Sequence, residues 1–309
     1  SLISSREETH DLYISLGYVH LFISDYSTAA KWFGRAWRIA QTMESPPMLL
    51  NSLQGRMFVW YQWNRWDDAC DVAHNMLQIV EQYQQDEHWS LEALDTLADL
   101  AYRAGNNEEG NKYSRQYKRI LEQRGSQPEL PISIYIARED WTRAAEICKE
   151  KLARGEPFPR PAVLVNLAEL VVTTGESGET QQTICDRAVN VAEQAGARKS
   201  LAIALRARGR MYLEQQNWEA AESDLRVSLD LVSELDVPLE QGRTLYYLGL
   251  FYRRRAYALH EDSSTERNAD LGRAQYHLEQ ALGFFESLKA ERMAERARIA
   301  LVQNNTPPV

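Results

Sequence analysis

Apolar residues recur at intervals of three and four along almost the whole chain, the spacing that keeps one face of a 3.6-residue helix out of water. Runs of alternating polarity, the mark of a half-buried strand, are few, so the pattern predicts helices from end to end. A longer rhythm lies on top. An aromatic followed three residues later by alanine occurs at Tyr26 and Ala29, Trp66 and Ala69, Trp141 and Ala144, and Trp218 and Ala221. A small residue stands upstream at Gly17, Gly55, Ala98, Ala168, Gly209 and Gly249. The aromatics are 40, 75 and 77 positions apart and the small residues 38, 43, 70, 41 and 40. Both series fit a unit of about 38 residues, the three longest intervals each spanning two units.

A helix hairpin accounts for both marks. A small residue in the first helix and an alanine in the second let two backbones approach within about 8–10 Å. The aromatic at the start of the second helix plugs the gap above the turn. A hairpin buries one face only, so hairpins must stack on one another to complete a core. The eight prolines outside the C-terminal tail (Pro46, Pro47, Pro128, Pro131, Pro157, Pro159, Pro161 and Pro238) fall where units hand over, as expected of a residue that cannot continue a helix. Ser5-Arg6-Glu7-Glu8 has the spacing of a capping box for the first helix, and Asp140 and Asn217 are placed to cap second helices.

These residues resemble the tetratricopeptide repeat. Leu205, Gly209, Tyr212, Trp218, Ala221 and Leu225 make the strongest copy, with Ser228 where alanine is usual. Tyr13, Leu16, Gly17, Tyr26, Ala29, Phe33 and Ala36 make a second, and Leu245, Leu248, Gly249, Tyr252, Ala274, Leu278 and Ala281 a third. The third carries extra residues within 256–270. Units near 40 residues are similar to the helical sensor regions of MalT-like regulators and multidomain nucleotide cyclases. The resemblance implies an all-α fold, a right-handed α-solenoid of about seven hairpins over one domain, 1–309. The units are 5–43, 46–84, 88–124, 128–155, 160–197, 199–236 and 238–289, with a C-terminal capping helix at 290–303. It also implies a groove lined by first helices, and a protein or peptide segment as the partner.

Composition narrows the function. The 35 basic and 44 acidic side chains leave a net charge of −9, the wrong sign for a protein that neutralises phosphates, so no nucleic-acid partner is expected. The most apolar stretch, 163–172, carries Glu169, so no membrane span is expected. Cys70, Cys148 and Cys185 are an odd set without metal-ligand spacing, and the six histidines are scattered; this predicts no metal, no cofactor and a reducing, cytoplasmic setting. The chain begins at Ser1 rather than methionine, which reads as a segment of a larger protein.

Candidate partner-binding residues follow from the groove positions. Arg206, Arg210 and Leu213 are assigned to it in the sixth unit, and Arg243, Tyr246, Leu250 and Arg253 in the seventh. Residues 241–255 hold four arginines and no acid, chemistry suited to an acidic segment or a chain terminus. The other reading of Arg253, Arg254 and Arg255 is a solvated helix end. Residues 67–102 hold nine acids and no lysine or arginine, with Asp95 and Asp99 one turn apart. Opposite signs along the array favour steering of partners or oligomers. Trp60 and Trp63 are not required by the repeat; they are either packed between units or partner-binding. The expected function is a non-enzymatic interaction module, the sensor or scaffold region of a cytoplasmic signalling protein whose attached domain carries any catalysis. The competing expectation is an all-helical enzyme or small-ligand receptor using 67–102 and His88. Gly175-Glu176-Ser177-Gly178 lacks the lysine of a phosphate loop and reads as a hairpin turn.

Overall fold

A computed structural model describes residues 2–154, 161–175, 178–258 and 264–304. Pro157, Pro159, Glu176, Ser177 and His260 lie outside the described residues. Among those described, all regular structure is helical, and the chain divides into two compact units, Ser1–Glu139 and Asp140–Val309.

The first unit holds α1 (Leu2–Phe22), α2 (Tyr26–Thr42), α3 (Pro46–Gln62), α4 (Trp66–Gln82), α5 (His88–Arg103), α6 (Asn107–Gln123) and the short α7 (Ile132–Ala137). Pairs α1/α2, α3/α4 and α5/α6 are hairpins, α2 and α4 pack on the next pair, the first helices α1, α3 and α5 adjoin in order, and α7 lies on α5. The second unit holds α8 (Trp141–Ala153), α9 (Pro161–Thr174), α10 (Gly178–Gln194), α11 (Arg198–Glu214), α12 (Trp218–Glu234), α13 (Pro238–Ala258), α14 (Ser264–Ser287) and α15 (Glu291–Gln303). Here α9/α10, α11/α12 and α13/α14 are the hairpins, with α8 on α9 and α15 covering α14. Each unit is thus a stack of helix hairpins of the solenoid kind.

The repeat marks act as the hairpin argument requires. Ala29, Ala69, Ala144, Ala221 and Ala274 are completely buried, as are Ala98 and Ala168. The Phe33 ring lies against both Gly17 and Gly55: a Cβ on Gly17 would stand 2.6 Å from it, and one on Gly55 closer still. The aromatics Tyr26, Trp66, Trp141 and Trp218 each open a second helix.

The turns are stereotyped. A left-handed residue follows one helix, and the next residue is the N-cap of its successor. Ser24, Asn64, Glu139 and Gln216 hold φ between 58° and 67°. Beyond Ser24, Asn64 and Gln216 the backbone closes five residues back, as in Arg65 N–H to Trp60 C=O at 2.8 Å and Asn217 N–H to Tyr212 C=O at 2.9 Å. Asp25, Asn106, Asp140 and Asn217 then accept from the third residue on, so the caps expected at Asp140 and Asn217 are in place. The capping box at Ser5 is not used: α1 starts at Leu2, so Ser5 is already helical and its carbonyl accepts from Thr9 Oγ1 at 2.6 Å. Of the extra residues within 256–270, those described are helical: α13, of 21 residues, runs to Ala258, and α14, of 24, starts at Ser264.

Candidate functional site

The charged candidates lie on first helices, Asp95 and Asp99 on α5, Arg206 and Arg210 on α11, and Arg243 and Arg253 on α13. In the second unit, Glu169 on α9, Arg206 on α11 and Glu240 and Arg243 on α13 form a buried ion network. Arg206 Nη2 lies 2.8 Å from Glu169 and its Nη1 2.7 Å from Glu240, with 0% of the Arg206 side chain exposed. Arg243 donates to Glu169 at 2.5 Å and lies 3.4 Å from Glu240. Burial raises the Glu240 carboxyl, but Arg206, Arg243 and Lys199 outweigh it and hold it down at about 2. The same contest, won by Arg206, Arg243 and Arg210, lowers Glu169. Burial disfavours the Arg206 cation, yet Glu169 and Glu240 keep it firmly charged. The carboxylates gripped by Arg206 and Arg243 therefore belong to the chain itself. Ser228 is drawn into the same layer, donating to the Ala202 carbonyl at 2.7 Å and lying 3.2 Å from Thr244 Oγ1.

Beside this network lies a face of arginine and tyrosine. Arg210 donates to Thr173 Oγ1 at 2.9 Å and stacks over the Tyr247 ring at 4.2 Å. Burial, then Tyr247, push the Tyr246 phenol up, while Arg296, Arg210 and Arg253 pull it down. Tyr246, Tyr247, Leu250 and Arg253 are half-buried, Arg296 is exposed, and Leu213 is buried. Arg296 of α15 also lies 5.7 Å over Trp141 of α8, so the first and last helices of this unit meet through a cation–π contact. The 241–255 stretch, free of acids in sequence, finds them on neighbouring helices. Arg254 donates to Glu214 at 2.6 Å, and Arg255 holds Asp270 at 2.7 and 2.8 Å and Glu222 at 2.8 Å.

In the first unit, Asp99 is completely buried, accepting from Tyr61 Oη at 2.8 Å and from Arg103 at 2.7 and 3.0 Å. Asp95, one turn earlier, accepts from Ser133 Oγ of α7 at 2.6 Å. Burial pushes the Asp95 carboxyl up to about 7, Ser133 opposing and Asp99 and Glu92 adding to the rise. His88 sits two turns away on the half-exposed start of α5, 3.3 Å from Asp86, so it does not join these carboxylates. Trp60 and Trp63 are half-buried and stack at 5.9 Å; Tyr26 continues the stack at 6.2 Å and Arg65 covers its other end at 4.5 Å from Trp60. Their faces are largely spent on each other.

Glu169, Glu240, Ser133, Tyr247 and Arg296 were not singled out as site residues in the sequence. Glu169 had a signal: an acid inside the most apolar helix demands a buried cation, and Arg206 lies one repeat period further on. Among the described residues no group of His, Cys, Asp or Glu is arranged to hold a metal ion, and no helix is long and apolar enough to cross a membrane.

No family model and no curated protein matches the chain. Among solved structures, it is similar to a Rap protein complexed with competence and sporulation factor, at 12% identity over 96% of this chain and 74% of that one, with a TM-score of 0.39. It is also similar to yeast Tom70, at 12% identity over 98% and 82% with a TM-score of 0.28. A circular tandem repeat protein with novel repeat topology and enhanced subunit contact surfaces shares 16% identity over 98% and 76%, with a TM-score of 0.24. At these identities and scores, the reading of the chain as a helix-hairpin repeat rests on the pairing of its own helices within each unit.

Proposed function

We propose that this chain is a non-enzymatic interaction module that holds a protein or peptide segment along its first helices, as the sensor or scaffold region of a larger cytoplasmic signalling or regulatory protein. The observation that carries the reading is the face made by Arg210, Tyr246, Tyr247, Arg253 and Arg296. Half-buried tyrosines flanked by guanidinium groups are the composition of binding hot spots, and guanidinium forks suit carboxylates. An acidic segment is the partner this face fits. A partner that prefers one curvature of the hairpin stack would pass that preference to attached domains.

Fluorescence anisotropy with a labelled 12-residue Glu-rich peptide and its Lys-substituted counterpart tests the reading. The acidic peptide binds, binding weakens with salt, and Arg296→Glu lowers affinity about tenfold, the loss of one charge-assisted contact. Equal binding of the two peptides, or binding of neither, overturns it.

The raised Asp95 carboxyl favours a second reading, acid–base catalysis in the first unit, since a group titrating near neutrality is poised for proton transfer. It requires a turnover that Asp95→Asn abolishes while the fold persists.

A further inference from the structure

Leu12, Val19, Phe22 and Ile23 of α1 are 55%, 57%, 53% and 42% exposed. Leu12, Val19 and Ile23 stand at i, i+7 and i+11, so they share one stripe, with Phe22 at its edge. The repeat gives that stripe counterparts. Leu12 stands five positions before Gly17, and Val19 two after it. The same offsets from Gly55, Ala98 and Gly209 pick out Leu50 and Met57 on α3, Ala93 and Leu100 on α5, and Ala204 and Met211 on α11. All six are at most 5% exposed. In each case the second helix of the preceding hairpin packs alongside: α2 on α3, α4 on α5 and α10 on α11. Trp37 of α2, for example, packs against the cluster that holds Leu50 and Met57. On α1, which packs on α2 and α3 by its other sides, the same face keeps apolar side chains in water.

Charge narrows what fits there. The first turns of α1 carry Glu7, Glu8 and Asp11 against Arg6, all exposed, while residues 12–23 hold no Asp, Glu, Lys or Arg. A helix laid on α1 as α2 lies on α3 runs antiparallel to it, so its C-terminal half comes beside those acids. We propose that this face of α1 docks an amphipathic helix of a second protein, antiparallel to α1, with an aliphatic or aromatic face and basic residues in its C-terminal half. Covering Leu12, Val19 and Phe22 supplies affinity, and the acids fix the direction. Pairing α1 with α1 of another copy brings the acids no cation, so a second copy fits less well. The helix α2 itself has the required composition, with Lys31, Arg35 and Arg38 and no acid in its 17 residues. The helix α4 packs on α5 in the same manner, yet carries Asp67, Asp68, Asp71 and Glu81 and no Lys or Arg. The two make a matched pair of probes. The docking face belongs to the first unit, so it stands whether or not the arginine and tyrosine face of the second unit takes an acidic segment.

Fluorescence anisotropy with labelled peptides of residues 26–42 and 66–82, titrated with the full chain, tests the assignment. The 26–42 peptide is expected to bind with a Kd of about 10–100 µM, modest because a short free helix must be ordered on binding. The 66–82 peptide is expected to bind about tenfold more weakly or less. Leu12→Ser and Val19→Lys, both at exposed positions where circular dichroism should not change, each weaken binding of 26–42 by about fivefold or more. Arg296→Glu leaves it unchanged, which separates this face from the one in the second unit. No binding of 26–42 at about 1 mM, equal binding of the two peptides, or binding that survives both α1 substitutions overturns the proposal. Sedimentation of the chain alone tests the other occupant: a dimer that Val19→Lys disperses would assign the face to a second copy and overturn the proposal as well.

Discussion

Arg206 reaches Glu169, 37 positions earlier, at 2.8 Å, and the two meet inside the second unit with the Arg206 side chain wholly enclosed. The separation is one repeat. Tyr61 donates to Asp99 and Ser133 to Asp95 across 38 positions, and Arg210 to Thr173 across 37. His10 Nε2 meets the Met48 carbonyl across 38. Equivalent positions of successive first helices are therefore neighbours, and polar residues placed there tie one hairpin to the next.

Removing Arg206 leaves Glu169 and Glu240 buried, with Arg243 reaching both and Arg210 4.0 Å from Glu169. Arg206→Met is expected to cost about 3–5 kcal/mol in urea unfolding, while adding Glu169→Leu and Glu240→Leu restores most of it, because an enclosed ion pair contributes little beyond an apolar substitute. Equal losses in the single and triple variants would contradict this.

The same network sets the acid response of the second unit. Glu240 is held at about 2 against an ordinary 4.5, so its contribution is present in full above the ordinary value. It is lost as pH falls from 4.5 toward 2. Glu169 is depressed too and acts in the same direction. Circular dichroism over that range should show acid unfolding, with a shallower pH dependence in Glu240→Gln, which is already weaker at neutral pH.

Asp95 has the opposite sign. Its carboxyl is raised to about 7, so the folded first unit binds a proton that the unfolded chain has released, and stability declines as pH climbs from about 4 to 7. Asp95→Asn is expected to stabilise the protein by about 1–4 kcal/mol at pH 8 and by little near pH 4, measured as a pH-dependent shift in denaturation midpoint.

The close approach within hairpins admits no added bulk. A Cβ on Gly209 stands 2.9 Å from Leu225 and 3.3 Å from the Ala221 carbonyl. Gly209→Leu is expected to cost about 1–3 kcal/mol or more, and Gly55→Ala a similar amount because Phe33 is packed on both sides. Thermal melts with the partner change Phe33→Leu should recover part of the Gly55→Ala loss.

Left-handed turns filled by larger residues carry strain. Gln216 holds φ 58° and is exposed, so Gln216→Gly should raise stability by about 0.5–1 kcal/mol despite glycine's greater freedom in the unfolded chain. A lower melting temperature for this variant would mean that the Gln216 side chain contributes more than its backbone costs.

How far the chain was legible follows from the range of each signal. The helices, their hairpin pairing and the caps at Asp140 and Asn217 are local or strictly periodic, and they were readable in Gly209, Trp218 and Ala221. The left-handed turns at Ser24, Glu44, Gln84 and Asp236 were not, because none of these is a glycine and the strain is offset by the closing hydrogen bonds around it. The Ser5 capping box misled because its spacing is shared by any helix interior that happens to hold Ser and Glu.

The site residues divide on the same line. Placement of Arg206, Arg210, Arg243, Asp95 and Asp99 on first helices followed from the repeat. What the sequence alone determined is periodic: a helical hairpin of about 38 residues, its small and aromatic contact points, and which positions share a face. What only the tertiary structure decided is which of those charges are spent inside the fold. Arg206 meets Glu169, and Arg255 meets Asp270 and Glu222, because helices distant in the chain lie side by side. Coulombic pairing and burial depend on distances in space, which a local pattern does not encode.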